Sequence, residues 1–199
     1  MRDVVKQVQG VIFDMDGTLV EPLLDFAAIR RQLAIAPQEG ILEAIEHMPA
    51  PRRDEAHRTL LDMELAAARQ ATLMPGAVET LTAIRRAGLK TALLTRNAPE
   101  AMAVVLERFP GLAFDATVSR GDGPAKPQPD GVLKACRQLG VPAERTVCVG
   151  DFLYDLLAAR AAGSVSVLLA TRQRPPYADQ ADYVITALNQ LPDLLGIDA

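Results

Sequence analysis

Long apolar runs are missing from this 199-residue chain. No stretch approaches the ~20 residues that a membrane-spanning helix needs, so no membrane partner is expected. Positive charge is also short: 21 Lys and Arg against 25 Asp and Glu leave a net charge of −4. That balance gives no support for a nucleic-acid-binding surface. Lysine is scarcest of all, limited to Lys6, Lys90, Lys126 and Lys134. Chemistry that needs a lysine amine between positions 6 and 90 is therefore excluded. The two cysteines, Cys136 and Cys148, have no Cys-x-x-Cys spacing of the metal-binding kind. They read as buried free thiols, which behave as small apolar groups, and a reducing cytoplasm is the default compartment. The only histidines, His47 and His57, lack metal-ligand spacing and read as surface residues. The N-terminal Met1-Arg2-Asp3-Val4-Val5-Lys6 is charged and lacks the apolar stretch of a signal peptide.

The chain has what a packed core requires. Apolar residues make up 49%, enough for one sizeable domain plus a small accessory. Short apolar runs alternate with amphipathic stretches. Strands are expected at 8–13, 90–95, 116–118, 146–149 and 165–169, with a short edge strand at 183–185 before a last helix. Helices are expected at 75–87, 99–109, 130–139 and 153–162. Strand alternating with helix predicts an α/β fold, a Rossmann-like parallel sheet with helices on both faces. One segment breaks the alternation. Residues 25–33, 39–48 and 52–74 carry only helical spacing, punctuated by Pro37, Pro49 and Pro51. Two domains follow: a discontinuous core, 1–20 with 75–199, and an all-helical cap, 21–74. The cap would sit beyond the C-terminal end of the first strand, where open α/β sheets bind ligands. Its arginines Arg30, Arg31, Arg52, Arg53, Arg58 and Arg69 read as a solvated face, with one or two free to reach an anionic substrate.

Chemistry-bearing residues cluster at expected strand ends. Val11-Ile12-Phe13 leads into Asp14-Met15-Asp16-Gly17-Thr18. Two carboxylates this close repel unless a cation or a proton offsets them. Thr95 ends the second strand and is followed by Arg96-Asn97. Lys126 lies in Ala125-Lys126-Pro127, and Gly150-Asp151 precedes Asp155. A parallel sheet brings these ends to one edge. Clustered carboxylates suit Mg²⁺, which takes hard oxygen ligands. An ammonium and a hydroxyl suit phosphoryl oxygens. One carboxylate can be a nucleophile and its neighbour a proton donor.

These four groups, in this order, resemble the four motifs of the haloacid dehalogenase-like hydrolase superfamily, across nearly the whole core. The helical cap after motif one is similar to that of its phosphoglycolate phosphatase-like subgroup. The resemblance implies a Mg²⁺-dependent phosphatase acting on a small phosphorylated metabolite, with phosphoglycolate or a sugar phosphate foremost. It implies that Asp14 is the nucleophile and a metal ligand. Asp16 is the general acid and then the base, with its carbonyl on the metal. Thr95 and Lys126 bind the phosphoryl group, with Lys126 also orienting Asp14; Asp151 ligates Mg²⁺, and Asp155 either binds it through water or supports the site from behind. Gly17, Thr18, Arg96 and Asn97 are assigned to substrate binding, with Arg96 directed either to a second anionic group or to solvent. Within the family, Asp16 favours a phosphatase over a dehalogenase, and the missing cap lysine disfavours the phosphonate-cleaving branch. A phosphosugar mutase and a phospho-dependent binding module remain as alternatives. Phe152 departs from the small polar residue that relatives often carry there. The oligomeric state is not legible.

Overall fold

The computed structural model describes residues 7–22 and 24–197; the charged segment Met1–Lys6 lies outside the described residues. Strand β1 (Gly10–Phe13) is followed by three helices, α1 (Phe26–Leu33), α2 (Ile41–Glu46) and α3 (Ala50–Gln70). Next come α4 (Ala77–Arg86), β2 (Lys90–Leu94), α5 (Pro99–Arg108), β3 (Ala116–Val118) and α6 (Asp130–Leu139). The chain continues through β4 (Thr146–Gly150), α7 (Leu153–Ala162), β5 (Val165–Leu169), β6 (Tyr183–Ile185) and α8 (Leu191–Leu195). The sheet order is β3-β2-β1-β4-β5-β6, with every pairing parallel. The chain winds outward from β1 in one direction and then from β4 in the other. Loops leaving β1 and β4 therefore diverge and open a crevice at the C-terminal edge.

Strand side chains alternate between two cores. Val11, Phe13, Leu93, Val147 and Val149 face α4, α5 and α8 through Leu81, Ile84, Val105 and Leu191. Ile12, Ala92, Leu94 and Cys148 face α6 and α7 through Val132, Ala135, Ala158 and Ala159. Phe13 is fully buried, a placement worth about 1.5–3 kcal/mol, and it fixes the strand end from which Asp14 projects. Both cysteines are free and buried, as the sequence suggests. Among the described residues, no helix is long and apolar enough to cross a membrane.

The inserted helices have a third apolar cluster. Ile29, Leu33, Ile41, Ile45, Ala56 and Leu60 join α1, α2 and the first half of α3. The second half of α3 differs, because Ala68 and the following Ala71 pack into the main sheet core. The helix expected over 52–74 stops at Gln70. Residues beyond it are extended because their backbone pairs with the strand of chain that enters the insertion. Glu21 N donates to Thr72 O (2.9 Å) and Met74 N to Leu19 O (2.9 Å), with a bridge between Val20 and Leu73. This two-stranded neck satisfies backbone groups that a further helical turn would otherwise have used. Helix α4 likewise begins at Ala77 rather than Pro75.

Candidate active site

The four expected groups meet at the C-terminal edge of β1, β2 and β4. Asp14 extends β1 by one residue, its amide donating to Val149 O at 2.8 Å. Lys126 stands in the loop between β3 and α6 and is only 5% exposed. Its ammonium donates to Asp14 Oδ1 (2.5 Å), Asp155 Oδ1 (2.6 Å) and Leu94 O (3.1 Å). All three ammonium protons are thus directed at acceptors, which holds the cation in place. The other oxygen of Asp155 accepts the Phe152 amide at 3.1 Å, satisfying a donor at the start of α7. Gly150 allows this approach, since a Cβ there would lie 2.3 Å from Asp155 Cγ.

Asp16 projects from a tight turn in which Met15 O accepts the amides of Leu19 (2.9 Å) and Val20 (3.0 Å). Gly17 completes the turn at φ +78°, and a Cβ on it would lie 2.1 Å from Asp151 Oδ2. Glycine is required at this position twice over, for its left-handed backbone and for the carboxylate above it. Asn97 Nδ2 donates to Asp16 Oδ2 at 2.7 Å, and Asn97 N donates to Thr95 Oγ1 at 3.1 Å. Asp14, Asp16, Thr95, Lys126, Asp151 and Asp155 line one cavity of about 360 Å³. Leu24, Phe26, Arg30, Ile41, Leu42 and Leu60 of the insertion close it from above.

Burial pushes the Asp16 carboxyl up to about 6, against the pull of the Asn97 amide. Burial, with Asp155 close by, takes Asp151 to about 7. Asp14 is likewise held by burial well above the usual carboxylate range, with Lys126 pulling back. Burial works against the Lys126 ammonium, but Asp14 and Asp155 outweigh it and hold its pKa above that of an ordinary lysine. The cluster is therefore short of positive charge. Oxygens of Asp14, Asp151 and Asp155 all lie within 4.8 Å of one another, and an all-oxygen donor set of this kind fits a hard divalent cation.

The residues assigned to substrate binding are placed differently. Thr18 is fully buried under the turn, with its hydroxyl unpartnered, and does not line the cavity. Gly17 supports Asp151 and also lies off the lining. Asn97 borders the cavity, but its amide is occupied by Asp16. Arg96 borders the cavity with its fork on Glu43 of α2, Nη2 at 2.9 and 3.0 Å from the two oxygens. It also donates to Lys126 O and stacks over Tyr154 at 4.9 Å. Arg96 thus bridges core and insertion at the cavity wall rather than reaching freely into solvent. Phe152 is half exposed and packs edge-on against Tyr154 and Tyr177 beside Asp151.

A family model described as haloacid dehalogenase-like hydrolase matches residues 8–163, which span every one of these groups. The chain belongs to this family. It is 30% identical over 207 residues to a haloacid dehalogenase-like hydrolase domain-containing protein of Arabidopsis thaliana, covering 95% of this chain and 84% of that one. It is 32% identical over 217 residues to a plasmid-encoded phosphoglycolate phosphatase of Cupriavidus necator, covering 94% and 92%. A crystal structure of a hydrolase from Pseudomonas syringae shares the fold, with a TM-score of 0.81 at 21% identity over 96% of this chain and 100% of that one. The chain is thus a phosphoglycolate phosphatase-like hydrolase of the haloacid dehalogenase family.

One site residue escaped the sequence reading. Glu64 in α3 is buried and borders the cavity, and it forms a fork-to-fork pair with Arg120. Burial raises its pKa, with Arg120 drawing it back. A sequence signal existed. The inward stripe of α3 is Ala56, Leu60, Glu64, Ala68, and a carboxylate in an otherwise apolar stripe at four-residue spacing is out of place. Arg30, one of the arginines of the insertion, is half-buried on the cavity lining, with Nε and Nη2 donating to Glu39 O at 3.2 Å.

Proposed function

We propose that this protein is a Mg²⁺-dependent phosphatase that hydrolyses the phosphate monoester of a small metabolite through an aspartyl-phosphate on Asp14. The observation that carries the proposal is the Asp14–Lys126–Asp155 contact beside Asp16 and Thr95 in one cavity. Lys126 holds one oxygen of Asp14, which leaves the other to attack phosphorus. As that O–P bond forms, the bond to the leaving oxygen breaks, and Asp16 gives its proton to that oxygen. A carboxyl raised to about 6 is suited to both halves of the cycle. Asp16, now a carboxylate, then takes a proton from water as the water oxygen attacks phosphorus. Asp14 departs as carboxylate and inorganic phosphate is released. Lys126 and the Thr95 hydroxyl offset the charge on the phosphoryl oxygens. Asp14, Asp151 and the Asp16 carbonyl would hold Mg²⁺, with Asp155 supporting the site through Lys126. When bound, the cation supplies further positive charge to the phosphoryl oxygens.

Residues 21–74 act as the cap in this proposal, hinged at the two-stranded neck and closed by the Arg96–Glu43 pair. Closure excludes water from the reacting phosphate, as lids do elsewhere. The relatives' names favour phosphoglycolate as the first compound to try, and buried free thiols suit a reducing compartment such as the cytoplasm. The test is phosphate release from phosphoglycolate, glycerol phosphate, sugar phosphates and p-nitrophenyl phosphate, with Mg²⁺ and with EDTA. Mg²⁺-dependent release from one or a few compounds is expected. Phosphate retained on an isomerised product would replace the proposal with a mutase. A persistent phospho-Asp14 without turnover would replace it with a phospho-dependent switch.

A further inference from the structure

We infer that Glu64 and Arg120 are positioning residues for the leaving-group acid, acting on Asp16 through Asn97. The inference rests on the reading of Asp16 as that acid.

Asn97 is the side chain that donates to the Asp16 carboxylate, at 2.7 Å. The Asp16 backbone is set by its own turn, and the direction of its carboxylate depends in addition on where the Asn97 backbone holds that amide. That backbone belongs to the loop between β2 and α5 and is clamped from both sides. On one side Arg120 N donates to Asn97 O at 2.9 Å. On the other, the next amide, Ala98 N, donates to Glu64 Oε2 at 3.0 Å. The two clamps are joined to each other. Arg120 Nη1 lies 2.5 Å from Glu64 Oε1, and Nη2 lies 2.9 Å from Oε2. Glu64, Ala98, Asn97 and Arg120 thus close a ring of hydrogen bonds, and Asn97 faces Asp16 from within it.

The residue chosen to close the ring is costly. Glu64 is 3% exposed and stands in the α3 stripe otherwise made of Ala56, Leu60 and Ala68. Removing a carboxylate and a guanidinium from water opposes folding, and a well-packed apolar pair is often equal or better for stability. Stability alone gives no reason for the pair. The geometry gives one, because a bidentate fork fixes direction as well as distance. Glu64 also stands on α3 between the part packed in the insertion and the part packed in the core. The insertion thereby contributes to the setting of the acid without touching it.

The test separates positioning from simple pinning of α3 to the core. An alkoxide needs a proton to leave, whereas p-nitrophenolate departs without one. Asp16→Asn sets the scale in kcat/KM, which reports phosphoryl transfer to Asp14 and not the later hydrolysis common to all substrates, with a loss roughly 10²–10⁴-fold larger for the fastest alkyl phosphate of the panel than for p-nitrophenyl phosphate. Glu64→Gln is expected to shift kcat/KM in the same sense, lowering its alkyl-to-aryl ratio by about tenfold or more. The double variant Glu64→Gln with Asn97→Ala should show a total loss smaller than the product of the two single losses. The paired variant Glu64→Gln with Arg120→Met, which removes both charges together, provides the same readout if Glu64→Gln alone does not fold. An equal loss for both compounds, no loss, or fully multiplicative effects would overturn the inference while leaving Asp16 as the acid. A lack of leaving-group selectivity in Asp16→Asn would overturn that earlier reading, and the inference with it.

Discussion

Replacing Lys126 by Met removes the ammonium that, among the described residues, faces Asp14 and Asp155. Lys126 is 5% exposed and donates to both carboxylates and to Leu94 O. Met occupies a similar volume, so the change is mainly one of charge. Breaking a buried ion pair from one side costs about 3–5 kcal/mol. For a chain of this size each kcal/mol moves Tm by about 2–4 °C, so a fall of roughly 10 °C is expected in EDTA near neutral pH. The pH dependence has a definite sign. The Asp14 carboxyl already has a folded pKa above its unfolded one, and Lys126 pulls it down. Without Lys126 the folded value climbs further. A raised acid destabilises the fold increasingly as pH rises from its unfolded pKa through its folded pKa. The difference in Tm between wild type and Lys126→Met should therefore be smallest near pH 5 and widen toward about pH 8. Mg²⁺ should recover part of it by offsetting the same carboxylates. Thermal unfolding followed by circular dichroism across that range, with EDTA and with Mg²⁺, measures both effects. A Tm loss that is the same at both pH values, or absent, would refute the charge account of this lysine.

Two further predictions concern the parts around the cluster. Gly17→Ala would force a Cβ into the space of the Asp151 carboxylate at a left-handed backbone position. Its Mg²⁺ affinity, read by titration calorimetry, should fall about 10–100-fold; wild-type affinity would show that Asp151 does not hold the cation. Glu43→Gln removes the anionic half of a partly exposed pair with Arg96. Stability should change by no more than about 1 kcal/mol, while amide exchange over residues 26–46 should accelerate. Unchanged exchange there would mean that the pair does not hold the insertion down.

The extent to which the sequence disclosed this site follows from where each residue gets its position. Asp14, Thr95 and Asp151 lie at or just past strand ends, and strands buried on both faces are visible as short apolar runs between turn residues. Asp155 and Asp16 sit within a few residues of those ends, so the sheet edge brings them together, whereas Lys126 lies eight residues past β3 and its loop carries it back to Leu94 O. Three placements depended on pairing that no local pattern carries. The end of α3 at Gln70 depends on hydrogen bonds between residues 19–21 and 72–74. The fork of Arg96 depends on Glu43, 53 residues earlier in the chain. The ring around Asn97 joins Glu64 to Arg120, 56 residues later. The direction of Thr18 is likewise set by backbone pairing. Its hydroxyl could face the cavity or the interior, and the Met15-centred turn directs it inward.

The central claim is that Asp14 carries the phosphoryl group, and the most direct test is turnover by Asp14→Asn. The variant is isosteric and retains an oxygen for Lys126, so it should fold. With Mg²⁺ and the best substrate of the panel, wild type should release inorganic phosphate and Asp14→Asn should release none above background. Steady phosphate release from a folded Asp14→Asn protein would contradict the account.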